Sequence, residues 1–318
     1  MATSGTTTFS VNVQTVIEDA LQNIGVLGVG GSLKAEDSDL AMRKMNLLVK
    51  QWVGQADFAP GLKLWTRRRG YLFLQNGQSV YDIGPSGDAA ADESYVSTTL
   101  AAAASGGAFG LTLASAAGIA SGDNIGVLLS SGDIDWTTVS GAPSGATVAL
   151  TAALASGAAL GARVFTYTNS MRKPFEAVSA VRRDVDGNDE PMDPWMSGEE
   201  YEVIGNKSSE GNPSRLYLEA RRTVSRVFLD CAPADVTDVI RMVYLSYIED
   251  FGALDEDVDL PAEWFRPLSA QLSIDLCPAY AKAVTPELKL MRDESLAIAR
   301  NAYPQKSTAA FCSEPDDY

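Results

Sequence analysis

The chain has 318 residues with 41 acidic against 25 basic side chains, a formal net charge of -16, no histidine and three cysteines. The missing histidine excludes Ser-His and Cys-His nucleophile pairs, imidazole acid–base chemistry and most zinc sites. The acidic surplus opposes tight binding of a nucleic-acid backbone by charge.

Cys231, Cys277 and Cys312 lie far apart and form no CxxC pair, so neither a disulfide framework nor a cysteine metal site is indicated; they read as reduced thiols, the first two in the core. No apolar run reaches the roughly 18 residues of a membrane span. MATSGTTTFS lacks the basic start and apolar stretch of a secretory signal, and a soluble protein made in the cytoplasm is expected. No cofactor and no metal is expected.

In NVQTVIEDALQNIGVLG, Val13, Val16, Ile17, Ala20, Leu21 and Ile24 recur at helical spacing, with Asn12 or Thr15 as cap and Gly25 as stop. In KAEDSDLAMRKMNLLVKQW, Ala41, Met45, Leu48, Val49 and Trp52 form the stripe of a second helix with acids crowding its first turn. The glycines between them, GVLGVGGS, lack both Gly-Lys-Ser/Thr and a preceding strand, so they read as a connector and not as a phosphate loop. GYLFLQNGQSVYDIG then predicts a β-hairpin turning at Asn76-Gly77.

From Gly84 to Thr168 the composition shifts to Ala, Gly, Ser and Thr, with Arg163 as the one basic residue. Short apolar runs separated by Gly, Asp and Pro turns predict a small barrel or sandwich. Trp136, Val139, Leu150, Val164, Phe165 and Tyr167 supply a core that a flexible linker would lack. After Phe175 the runs EAVSAVRRD, EEYEVIG, RLYLEA, SRVFLD and DVIRMVYLSYIEDF read as strands that complete the sheet begun by the hairpin.

LPAEWFRPLSAQLSIDLCPAY places Trp264, Leu268, Leu272 and Leu276 at intervals of four, with Pro267 bending the helix early. TPELKLMRDESLAIARNAYP carries Thr285 as cap and Pro286 at the first helical position. The remaining residues, 304–318, have no periodicity and read as an extended arm.

The expected fold is therefore α+β: a helical core of an N-terminal helical hairpin and C-terminal helices, an antiparallel β-sheet, and an inserted small β-barrel or β-sandwich domain. The expected domains are a core of 1–84 with 169–303, an insertion of 85–168, and an arm of 304–318. Trp52, Trp264, Leu268 and Leu272 are the expected core anchors of the helices.

Three stretches invite chemistry. DVDGNDE, 184–190, starts like a calcium loop, but Asp189 stands where the turn glycine belongs and Trp195 where the last acid belongs, so a hairpin turn is read instead. EDFGALDEDVDLP, 249–261, reads as an exposed acidic loop before a helix, with Asp255, Glu256 and Asp257 at its centre. Arg67, Arg68 and Arg69 form the densest cationic spot, placed to meet either nucleic-acid phosphates or the acids of a neighbouring subunit. The NKSS at Asn206 matches a glycosylation acceptor but has no secretory context.

The helical pattern VIEDALQNIGVLG, the following DLAMRKMNLLVKQW, the YLFLQNGQSVYDIG stretch and DVDLPAEWFRPLSAQLSIDLCPAYAKAVTPELKLMRDESLAIAR together resemble the head-to-tail adaptor proteins of short-tailed bacteriophages, also called packaged-DNA stabilisation proteins or tail accessory factors. The resemblance spans the chain outside the inserted segment and consists of helix pattern, apolar spacing and Leu-Pro-x-x-Trp.

It implies a non-enzymatic virion protein: a ring of about twelve copies that docks beneath the portal protein and extends the DNA channel. Such a ring retains packaged DNA, passes double-stranded DNA without reading its sequence, and joins the tail nozzle or tail fibre proteins. By position, the arm would reach the portal with Phe311 and Tyr318 as anchors, and Asp255, Glu256 and Asp257 would face the channel or a neighbouring subunit. The inserted segment departs from compact members of the family and would project toward tail or fibre proteins. The residues leave two other readings open: a carboxylate-based peptidoglycan hydrolase, and a module binding a tail fibre or glycan through the insertion.

Overall fold

Asn12 accepts a hydrogen bond from the Thr15 amide at 2.9 Å and so starts the first helix, α1 (Val13–Asn23). The computed structural model describes residues 9–54 and 66–302. At the end of α1 the Gly25 amide bonds the Gln22 carbonyl and the Val26 amide the Leu21 carbonyl, with Gly25 at φ +64°, a left-handed turn that satisfies two orphan carbonyls. The glycine stretch thus ends one helix and leads to the next, α2 (Ala35–Gly54).

The strands follow: β1 (Arg67–Phe73), β2 (Val80–Ile83), β3 (Ala90–Asp92), β4 (Val96–Thr99), β5 (Gly110–Thr112), β6 (Asn124–Leu128), β7 (Ile134–Thr138), β8 (Thr147–Ala149), β9 (Arg163–Tyr167), β10 (Pro174–Arg183) and β11 (Asp189–Met192). A short helix, α3 (Gly198–Val203), precedes β12 (Glu210–Gly211), β13 (Leu216–Ala220), β14 (Ser225–Leu229), β15 (Ala232–Pro233) and β16 (Val239–Ser246). Helices α4 (Phe265–Leu276) and α5 (Pro286–Asn301) follow, α5 capped by the Thr285 hydroxyl.

The chain is a mixed helix-and-sheet protein with two compact units, 1–66 with 248–318, and 67–247. In the first, the apolar stripes of α1, α2, α4 and α5 meet around Ile17, Leu21, Met45, Leu268, Leu272 and Leu276, none exposed. Trp52 and Trp264 pack at 5.5 Å. Pro267 falls in the first turn of α4, where its missing amide leaves no ladder bond unmade.

In the second unit a five-stranded sheet runs β11-β10-β16-β1-β3 and a three-stranded sheet β13-β14-β2, both antiparallel. Leu72, Ile240, Met242 and Tyr244 of the first share a core with Tyr81, Ile83, Leu216 and Val227 of the second. The Ala/Gly-rich segment holds a four-stranded sheet, β4-β9-β6-β7, and a pair, β5-β8, around a core of Leu111, Ile125, Val127, Val148 and Val164. None of the sheets closes into a barrel, so that part of the expectation is corrected: with three residues each, β5 and β8 bridge too little to link the edges of the larger sheet.

Two more expectations give way. The turn at Asn76-Gly77 forms, with Gly77 at φ +68° and the Gln78 amide on the Gln75 carbonyl, but β1 and β2 do not pair. They enter different sheets, and stacking those sheets buries Leu72 of β1 together with Tyr81 and Ile83 of β2. EEYEVIG is the helix α3 and not a strand: Ser197 and Glu200 form a reciprocal capping box at its start.

The Ala/Gly-rich segment falls in the same compact unit as the five- and three-stranded sheets. The reason is chemical. Phe73 of β1 packs its ring 5.0 to 5.6 Å from Trp136, Phe165, Tyr167 and Tyr95 of the Ala/Gly-rich segment. Gln75 holds Ile134 by both backbone groups, at 3.0 and 3.1 Å. Gly126 makes room for this cluster, since a side chain there would meet the Trp136 ring at 2.7 Å.

Phe73→Ala is expected to cost about 3–5 kcal/mol of stability, as for other buried aromatics, measured as a lower urea midpoint of the full chain. A loss below about 1 kcal/mol would mean that the ring cluster does not fasten the segment to β1.

Candidate functional site

The candidate residues occupy surfaces of two different kinds. On β1, alternation puts Arg67 and Arg69 on one face with Tyr71 and Phe73, and Arg68 on the other with Leu72. Arg67 and Arg69 are exposed and make no side-chain hydrogen bond or ion pair among the described residues. Arg68 is used within the chain: its Nη1 lies 3.4 Å from Asp92 Oδ2 and 3.9 Å from Glu93 Oε1.

Asp92 is the hub of that side. It also receives the Tyr244 hydroxyl at 2.8 Å and faces Arg172 at 3.9 Å. Burial, with the Asp92 charge beside it, pushes the Tyr244 phenol far above its ordinary value and keeps it a donor. Of the three arginines, the expectation of a neighbour's acids or of phosphates therefore bears on Arg67 and Arg69; Arg68 has its partners at home.

The acidic segment 249–263 carries seven acids and no base. Its backbone faces inward. The carbonyls of Leu254 and Glu256 accept the Gln14 and Val13 amides, each at 2.9 Å, and so satisfy the open first turn of α1. From α2, Asn46 brackets Phe251 with both its amide atoms, at 2.8 and 3.0 Å, and Lys50 bonds the Ile248 carbonyl at 2.6 Å and Asp250 at 2.8 Å.

The Glu256 carboxylate is itself structural. It accepts the Gly252 amide at 2.8 Å and the Ala253 amide at 3.1 Å, and these bonds hold its carboxyl below the ordinary 4.5. Asp255 and Asp257 are exposed and carry no side-chain partner among the described residues. The sequence places the three acids together; the structure assigns them two roles.

Trp52, Trp264, Leu268 and Leu272 are buried in the helical unit, and the Trp264 indole nitrogen has no hydrogen-bond partner. Phe311, Tyr318 and the whole arm lie outside the described residues. Cys277 is buried and Cys231 only half-buried.

One feature escaped the sequence reading. A groove of about 590 Å³ lies between α3 and the outer face of β13 and β14, floored by Tyr201, Tyr217 and Phe228 and rimmed by Glu199, Glu202 and Arg221. The Ser197-x-x-Glu200 box would have revealed the helix that walls it. Among the described residues no group of three or more His, Cys, Asp or Glu could hold a metal, and no helix is long and apolar enough to cross a membrane. What the arrangement offers is charged surface held on rigid supports.

No model of a known protein family matches the chain, and no curated protein matches it.

Glu256 supplies a pH test of its structural role. A carboxyl held below its ordinary value stabilises the fold above that value and ceases to do so as pH falls through the depressed one. Glu256→Gln is therefore expected to lower the melting temperature at about pH 7, with the gap closing on acidification to about pH 3. An equal gap at both pH values would show that the charge on Glu256 plays no part.

Proposed function

We propose that the chain is a structural virion protein, the head-to-tail adaptor of a short-tailed bacteriophage, and has no enzymatic activity. In this reading about twelve copies form a ring at the portal vertex. The ring docks on the portal protein, extends the DNA channel, retains the packaged DNA and joins the tail nozzle or tail fibre proteins.

The observation that carries the reading is the resemblance of the chain's two ends to that family: VIEDALQNIGVLG with DLAMRKMNLLVKQW, and the long stretch from DVDLPAEW to AIAR. The same two stretches supply the four helices of one compact unit, in which Trp52 from the first meets Trp264 from the second. A wall of such helices suits a protein whose task is to be held in a ring. The acidic surplus supports the channel role, since a negatively charged wall repels the DNA backbone and lets it slide. The arm of 304–318, with Phe311 and Tyr318, is assigned to portal docking by its position in the family pattern, and the Ala/Gly-rich segment to contact with tail or fibre proteins.

The test is the mass of the purified full chain in solution, alone and mixed with portal rings, followed by negative-stain imaging. A ring in either sample, with copies stacked on the portal, is the expected result. A chain that stays a single copy in both would overturn the adaptor reading.

A further inference from the structure

We propose that Arg67 and Arg69 of one copy of this chain bind the carboxylates of Asp255 and Asp257 of a second copy. The inference deepens the ring reading and rests on it, and it names the surfaces by which one copy holds the next.

Other arginines of the same unit meet a carboxylate of their own chain. Arg182 binds Asp238 at 2.9 Å, Arg183 and Arg241 share Asp189 at 2.7 Å each, and Arg226 grips Asp82 with two bonds at 2.7 and 2.8 Å. Arg67 and Arg69 have no such partner among the described residues, in a chain whose acids outnumber its cations 41 to 25; Arg163, Arg215 and Arg222 share that lack, but Arg67 and Arg69 are two together on one strand face. Two residues apart on a strand, they point the same way about 6.5–7 Å from each other.

Their neighbours across the sheet on this face carry a single charge. Val243 stands opposite Arg69 on β16, and Ser179 follows on β10. The acid on that part of the face, Glu176, is in register with Leu245, the partner of Arg67, and so lies two strands away, about 9.5 Å. No ion pair joins the side chains of Glu176 and Arg67.

Among the acids that carry no side-chain partner, Asp255 and Asp257 stand two residues apart on the segment 249–263. There Asp250 is spent on Lys50 and Glu256 on two backbone amides, while Asp255 and Asp257 face solvent unpaired. Their loop is fastened to α1 and α2 by its backbone, so the two carboxylates are presented on a firm support. Two arginines two residues apart can take two carboxylates two residues apart, each pair by charge-assisted and, for Arg, bidentate hydrogen bonds. Because the two patches differ, the contact is heterologous, and its repetition closes a ring or propagates a filament.

The experiment exchanges the charges in the full chain. R67E/R69E and D255K/D257K are each expected to lose the assembled species in sedimentation velocity at about 0.1 M salt, where exposed pairs still act at contact range. Mixed in equal amounts, the two variants are expected to recover it, as is a chain carrying all four reversals. All four positions are exposed, so unchanged melting curves are expected; should a reversal unfold the chain, R67Q/R69Q and D255N/D257N replace it. If either reversed variant assembles as the parent does, these residues do not form the contact, and the ring reading stands without it. If R67E/R69E instead assembles normally and loses only its retention of duplex DNA, the arginines serve phosphates and the proposal falls. A parent chain that never assembles removes both.

Discussion

The alternation of β1 is the constraint on which the 67–247 unit depends. Its even positions, with Leu72 and the following Leu74, enter the core between the five- and three-stranded sheets, while Tyr71 and Phe73 enter the aromatic cluster shared with the Ala/Gly-rich segment. A one-residue slip would exchange the two sets and ruin both cores together. Gly70 tightens the constraint, because a side chain there would collide with the buried Met171. The same alternation that sinks Tyr71 and Phe73 carries Arg67 and Arg69 onto the open end of that face. Their exposure is therefore a consequence of the core packing, and the strand cannot turn them inward without turning Phe73 outward.

The acidic segment shows a converse arrangement, with backbone and the apolar Phe251, Val258 and Leu260 turned in and Asp255, Glu256 and Asp257 turned out. An unpaired helix-start amide is costly to leave without an acceptor, and α1 obtains its acceptors from the Leu254 and Glu256 carbonyls. Those carbonyls are fixed in turn by Asn46 and Lys50 holding Phe251, Ile248 and Asp250. Seven acids in 15 residues would repel one another on a free loop. Here the Glu256 charge is absorbed by two amides and that of Asp250 by Lys50, which lowers the repulsion left for Asp255 and Asp257.

How far the sequence could be read followed the range of the interactions involved. Caps are local, so Asn12, Gly25, Thr285 and Pro286 marked the helix ends where they occur. The turn at Asn76-Gly77 was equally legible, but the partners of β1 and β2 lie at 239–246 and 225–229, and nothing within the turn encodes that choice. Helix α3 was misread because Tyr201 and Val203 alternate like a strand, although Ser197 and Glu200 offered the contrary local signal. The bond between insertion and sheet was hidden for another reason. It rests on Gln75 and Phe73 meeting residues about 60 to 90 positions later, whereas the composition change at Gly84 suggested a boundary. At the candidate surfaces the residue types were visible, but only geometry separated Arg68, with Asp92 and Glu93 beside it, from Arg67 and Arg69.

Net charge and local charge pull in opposite directions when copies of this chain approach. At -16 each, two copies repel at long range, yet at physiological ionic strength that repulsion decays over about 8 Å. A contact between a cationic and an acidic patch is shorter than this length and is screened far less. Assembly of such a chain then depends on where its few unspent cations stand and hardly on their number. Many arginines of the sheet unit are consumed by Asp82, Asp92, Asp189, Asp238 and their neighbours, while Arg67 and Arg69 at the start of β1 are left as two adjacent cations on one face. Internal pairing thus does more than stabilise the fold: by removing cations from the surface, it reduces the number of places at which an acidic partner could be attracted against a repulsive background.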